Sequence, residues 1–168
     1  MEILSNLDLD KVPKSPGVYI VYWMRNNAPV SIPRVLSVCG KGVLYIGASE
    51  TNLRRRLKDL RTSIEVAKGV RRRKRYPHTF GSSLVYTRLI DLIKDSEIYV
   101  YFKTFDSGDA ADIQEKLALF HHTRKYGEPP PLNLQIARRY LAIVGAAEPG
   151  KSRVAGSLDP DLRDAIGL

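Results

Sequence analysis

The run Gly17-Val18-Tyr19-Ile20-Val21-Tyr22-Trp23, set off by Ser15-Pro16, constrains the fold of this chain more than any other feature. Its apolar, β-branched and aromatic residues follow one another without polar interruption, which reads as a buried strand. Residues 24–34, with Asn26-Asn27 and two prolines, read as a loop. A second extended region, Val35 to Cys39, breaks at Gly40-Lys41-Gly42 and resumes as Val43-Leu44-Tyr45-Ile46-Gly47, and antiparallel pairing is the simplest topology for these strands.

Helical signals follow. Asn52 suits an N-cap, and Leu53, Leu57, Leu60, Ile64 and Ala67 recur at helical spacing, so a helix is predicted over 52–68, ending near Gly69. Residues 76–81 contain Pro77 and Gly81 and read as a loop, 82–94 as a second helix, and Ile98 to Phe105 as a third or central strand. Asp109 is the expected cap of a helix running to Tyr126, stopped by Gly127, and Pro129–Pro131 forces an extended segment. From about Ala146 the chain is rich in Gly, Pro and Ser. The expected organisation is one domain over 1–145 and a loose C-terminal tail over 146–168, with at most a short helix after Asp159. No internal repeat is evident.

Charge narrows the class of partner. Residues 54–75 hold eleven Lys and Arg against Asp59 and Glu65, while the rest of the 168-residue chain holds 16 basic and 16 acidic residues. A single segment therefore carries the whole net charge of +9, the footprint expected of contact with a phosphate backbone. The alternative is a solvated helix followed by a basic loop. An RNA-binding factor that uses only the charge is disfavoured, because 53–75 lacks the interleaved aromatic residues expected of single-strand stacking platforms. The lone Cys39 excludes an internal disulfide framework or thiolate cluster. The first residues have no basic start before an apolar run, and no stretch reaches the roughly 18 apolar residues of a membrane span. The expectation is a soluble, cytoplasmic protein with no membrane partner.

Two short motifs stand on the first two strands: Gly17-Val18-Tyr19 and Tyr45-Ile46-Gly47. Each alone is a weak signal. In this order, followed by Asn52-Leu53-Arg54-Arg55-Arg56-Leu57 and later by Glu115 and Asn133, they resemble the GIY-YIG nuclease superfamily over about residues 16–135. The resemblance implies an α/β chain of the α+β type, with a small, mostly antiparallel central sheet flanked by helices. It also implies hydrolysis of DNA phosphodiesters, and sites at Tyr19, Tyr45, Arg56, Glu115 and Asn133. One departure is Leu60, where many relatives carry Tyr or His one helical turn after the arginine. His78, in Pro77-His78-Thr79 after the basic run, is the candidate replacement.

Such a reaction needs a base to activate water, a cation at the scissile phosphate and a divalent metal for the developing charge. Glu115 is the metal candidate, for Mg²⁺ or Mn²⁺, because it shares a helix face with Ala111, Ala118, Leu119 and His122 while Ile113, Leu117 and Phe120 make the opposite face apolar. Among the three arginines, helix geometry at about 100° per residue sets Arg56 roughly 70° from the core stripe, Arg54 about 90° on the other side and Arg55 almost opposite. Arg56 is therefore the preferred catalytic cation. Counting register from Gly47 would instead select Arg55. The resemblance assigns both tyrosines, Tyr19 preferred as base or base helper, and Asn133 is expected to position Glu115 or the phosphate. His121-His122 invites a metal reading, but neighbours on a helix diverge too far to chelate easily. Arg54, Arg55, Arg71, Arg72, Arg73, Lys74 and Arg75 are the expected DNA contacts. With no separate specificity domain evident, recognition falls to 68–80, the loop 24–34 or the C-terminal region, and a homodimer on DNA is one way to supply it. The competing reading is a DNA-binding module whose nuclease fold has decayed.

Overall fold

The structure is a computed structural model that describes residues 1–134 and 156–168. Seven strands are present among them: β1 (Glu2–Ile3), β2 (Gly17–Arg25), β3 (Ala28–Pro29), β4 (Ile32–Pro33), β5 (Val38–Cys39), β6 (Val43–Ser49) and β7 (Ile98–Thr104). The main sheet runs β1-β7-β2-β6, every pair antiparallel, with β3 folded back on the end of β2. β2 is the central strand, which is why its run is unbroken by polar residues. Alternate side chains of β2 face opposite layers. Tyr19 and Val21 point into a core with Leu53, Leu57, Leu60, Phe80 and Leu84, whereas Val18, Ile20 and Tyr22 point into one with Ala118, Leu119, Tyr126, Leu162 and Ile166.

The first of those layers is built by α1 (Leu53–Ala67) and α2 (Thr79–Tyr86), the second by α3 (Gly108–Tyr126) and α4 (Pro160–Ala165). This is the α+β arrangement expected, an antiparallel sheet flanked by helices. No helix among the described residues is long and apolar enough to cross a membrane. Asn52 caps α1, its side chain accepting from the Arg55 amide at 3.0 Å, and Gly127, at φ 83°, ends α3 in a left-handed turn.

Three expectations need correction. α2 begins at Thr79, not 82, and stops at Tyr86, with a short 3-10 turn over Leu89–Asp91 beyond it. Pro77 and Gly81 suggested a loop, but Pro77 lies just outside the helix, and Gly81 packs so closely on Ser63 of α1 that a β-carbon would collide with its backbone. α3 is capped by Ser107, whose hydroxyl accepts from the Ala110 amide at 3.1 Å. Asp109 sits inside the first turn, where its charge favours the helix dipole. Residues 156–168, expected in the loose tail, are packed: Leu162 and Ile166 are fully buried, and Lys103 pairs with Asp159 at 2.8 Å and Asp161 at 2.6 Å. Asp159 caps α4, the short helix expected there. Residues 135–155, including the start of the predicted tail, lie outside the described residues.

Candidate active site

Both motif glycines are explained by what passes over them. A β-carbon on Gly47 would lie 2.5 Å from the Tyr19 hydroxyl and 2.7 Å from the Tyr45 ring. One on Gly17 would lie 2.6 Å from the Lys103 carbonyl across the sheet and 3.0 Å from Leu53. Tyr19 and Gly47 are cross-strand partners, so the missing side chain on β6 makes room for the tyrosine to lie over the sheet toward α1 and α2. Tyr19 is fully buried and stacks on Tyr45, ring centres 6.0 Å apart.

Hydrogen-bond arithmetic fixes the protons around Tyr19. His78 is the N-cap of α2, its Nδ1 accepting from the Phe80 amide at 3.0 Å. Nδ1 is therefore bare, and in the neutral imidazole the proton sits on Nε2. Burial, followed by the nearby Arg56 charge, pushes the His78 pKa down to about 3, so the ring is neutral near neutral pH. Nε2 lies 2.6 Å from the Tyr19 hydroxyl oxygen and donates to it. Arg56 Nε donates to the same oxygen at 3.3 Å. With two donors on its oxygen, Tyr19 directs its own proton away, toward Tyr45. His78 is thus a donor to the tyrosine and a cap, not a base waiting for its proton, and it lies buried rather than in an open polar loop.

Burial, and next the neighbouring Tyr45, raise the Tyr19 pKa well above its ordinary value, with Arg56 opposing. Burial likewise raises that of Tyr45, against hydrogen bonds from Thr79 and Tyr19. Both tyrosines are protonated at rest. Arg56 keeps its charge: burial works against it, but Tyr19, Tyr45 and Glu115 together raise its pKa above the usual value.

A polar cavity of about 310 Å³ opens beside this cluster, lined by Tyr45, Arg56, Thr79, Glu115 and Asn133 with Glu50, Ser83 and Asp112. Tyr45 lines it and Tyr19 lies behind. On α3 the residues around Glu115, namely Ala111, Ala118, Leu119 and His122, are buried. Of the predicted opposite apolar face, Leu117 is buried, Phe120 half-buried and Ile113 exposed, so only part of it enters the core. Asn133 differs from expectation. Its side-chain oxygen accepts from the Ile46 amide at 2.9 Å and its nitrogen donates to the Ile46 carbonyl at 2.7 Å. Its amide is spent completing the edge of β6, which fixes 132–134 as one wall of the cavity.

The three adjacent arginines diverge. Arg56 reaches Tyr19, and Arg55 is exposed. Arg54, an expected DNA contact, is tied to the N-terminal segment instead, donating to the Val12 carbonyl at 2.8 Å and pairing with Asp10 at 3.2 Å. Arg71 to Arg75 are all exposed on the loop after α1. Leu60 is wholly buried in the core, and His78 stands beside Tyr19. His122 is buried and His121 half-buried on α3. Cys39 is a buried free thiol.

Thr79, Ser83, Asp112 and Glu50 join the site without having been singled out. Asp112 precedes Glu115 by three residues, so the shared helix face was readable; its carboxylate pairs with Lys116. Thr79 and Ser83 are one turn apart on α2, a relation hidden by placing the helix start at 82. Compared with protein-family models, with curated proteins and with solved structures, the chain matches none.

Proposed function

We propose that this chain is a metal-dependent DNA endonuclease of the GIY-YIG type, hydrolysing phosphodiester bonds in the cavity beside Tyr45. The observation that carries this reading is convergence. A guanidinium from α1, a tyrosine hydroxyl from β6 and a carboxylate from α3 line one polar cavity in a chain whose net charge is concentrated in one adjoining segment. A phosphodiester there meets Arg56, whose charge opposes the negative charge that builds on the phosphoryl oxygens in the transition state. Tyr45 receives the Tyr19 proton in its hydrogen bond and presents its own to the cavity, where it orients water or a phosphate oxygen. Tyr19, whose oxygen carries donors from Arg56 and His78 and whose burial keeps its own proton in place, orients Tyr45 from behind. Tyr19 is thus the base helper behind Tyr45.

The donor set suits a hard divalent cation. Glu115, with Asp112 and Glu50 on the same cavity, offers carboxylate oxygens, and Mg²⁺ or Mn²⁺ takes one or two of these and keeps waters in its remaining places. Among the described residues no three His, Cys, Asp or Glu form a group that could hold a metal ion, so this reading rests on Glu115 as the ligand. When bound, the ion stabilises charge on the phosphate and the leaving oxygen.

The test is incubation of the purified chain with supercoiled and linear DNA, with Mg²⁺ or Mn²⁺ and with EDTA. Nicking or cutting is expected only with the cation. Glu115→Gln should lower the rate by at least about 100-fold while DNA affinity, measured by titration, stays near wild type. Failure to cut any DNA would leave a DNA-binding module in a nuclease-like frame; cutting by Glu115→Gln at near wild-type rate would remove Glu115 as the ligand.

A further inference from the structure

The loop after α1 is more than a run of charge. α1 ends at Ala67, Gly69 turns the chain at φ 73°, and the amides of Val70 and Arg71 both donate to the Glu65 carbonyl, at 2.9 and 3.1 Å. This folds 71–76 back over the last turn of the helix and shapes an open concavity of about 600 Å³, floored by Val66 and Gly69 and flanked by Arg71 to Arg75 and by Tyr76. No acidic side chain lines it, and of its cations Arg71 pairs with Glu65 of α1 at 3.5 Å. The window without aromatic residues, 53–75, ends one residue short of the ring that forms this wall.

Contact with a duplex backbone alone requires cations on an accessible surface and leaves an aromatic wall and an apolar floor unused. A concavity joining five cations to a partly exposed ring suits an anion attached to a flat apolar face, and its volume lies in the range of small-ligand sites. Tyr76 is also only two residues from His78, so their α-carbons are within about 7 Å, or about two stacked nucleotide steps. His78 in turn holds Tyr19 at 2.6 Å. We propose that this concavity receives an unpaired nucleotide of the DNA held at the neighbouring cavity, its base stacked on Tyr76 and its phosphates met by Arg71 to Arg75. The inference rests on the nuclease reading for its choice of DNA, and it defines the substrate as a duplex with a locally unpaired base rather than a continuous one.

The test uses the full chain in EDTA, so that binding is read without cleavage. A duplex carrying 2-aminopurine in a short unpaired overhang is compared with a blunt duplex of the same sequence and with free 2-aminopurine deoxynucleotide. The overhang duplex should bind about tenfold more tightly than the blunt one, and its fluorescence should fall about twofold or more on saturation, as stacking on an aromatic side chain requires. Tyr76→Ala should remove the quench and narrow the gap between the two duplexes to under about twofold, and Tyr76→Phe should restore both. Equal affinity for the two duplexes, a quench that survives Tyr76→Ala, or equal quenching of the free deoxynucleotide at the same concentration would each overturn the proposal. Because no step is catalytic, a chain that stacks the base but never cuts keeps this proposal and removes the nuclease reading. One that cuts but ignores the overhang does the reverse.

Discussion

Arg54, Arg55 and Arg56 are chemically identical, and their fates differ because a helix turns about 100° per residue. Arg56 flanks the buried stripe, so its methylene stem packs inward and its guanidinium meets Tyr19; Arg55 projects to solvent; Arg54 leans the other way and fastens residues 10–12. Only the first of these lines the cavity with Glu115. Removing a preorganised charge from a transition state costs about 100-fold or more, whereas losing one backbone contact mainly lowers affinity. Arg56→Ala is therefore expected to lower single-turnover cleavage at saturating protein by at least about 100-fold, and Arg55→Ala by less than about tenfold. The reverse ranking would show that the working register runs from Gly47. Equal, small losses would move the catalytic cation to the 71–75 loop.

The same contrast appears between elements. β2, β6, α1, β7 and α3 were legible because each carries a local signal of its own, whether an unbroken apolar run as at Gly17, a helical period as in α1, or a stop as at Gly127. α2 was misplaced because Gly81 has a tertiary reason to be glycine, the close approach to Ser63, that no local pattern carries. The placing of site residues was legible where it follows from a helix face, as for Arg56 and Glu115, which line one cavity. It was not where the partner is distant in sequence: nothing local in Asn133 signals that its amide will complete the edge of β6 through Ile46, and nothing in His78 signals a cap on Phe80. The basic loop is an element whose exposure gives a direct test. Each phosphate neutralised contributes close to one unit to the slope of log affinity against log salt. Replacing Arg71 to Arg75 together by Ser should lower the magnitude of that slope by about two to five and weaken binding most at low salt. An unchanged slope would place the polyanion elsewhere on the molecule.

At the scale of the whole molecule, each core layer encloses a neutral histidine, and this sets how the fold responds to acid. His78 lies between the sheet and α1–α2, with Arg56 and the two tyrosines facing it. His122 lies on the buried face of α3, its Nδ1 donating to the Glu128 carbonyl at 3.3 Å and the Tyr126 ring tilted against its own at 4.5 Å. Burial, then the Arg56 charge, lowers the pKa of His78 to about 3. Burial lowers that of His122 to about 4, the bond to Glu128 opposing and the charges of Arg34 and Lys125 adding to the shift. In the unfolded chain both would titrate near the ordinary 6.5. Between the two sets of values the unfolded state binds more protons, so stability rises with pH through this window. It is complete above about pH 6.5 and lost progressively as pH falls toward 4 and 3, at about 1.4 kcal/mol per pH unit for each histidine. Depressed carboxylates act in the same sense but lower down. Glu97, held at about 2 chiefly by its hydrogen bonds from Arg25, against some desolvation, loses its contribution only below its unfolded value near 4.3. The interval from pH 6.5 to 4.5 therefore belongs to the histidines. Urea unfolding followed across it should give a free energy that falls with a slope to which these two rings contribute approaching two protons. His121, lowered by burial and then by the charges of Arg124 and Arg163, adds in the same sense. His122→Leu should reduce that slope by about one proton whatever it does to the absolute stability. A wild-type slope near zero in this interval would mean that the two rings take up protons as readily in the fold as out of it, and that neither layer is closed to water.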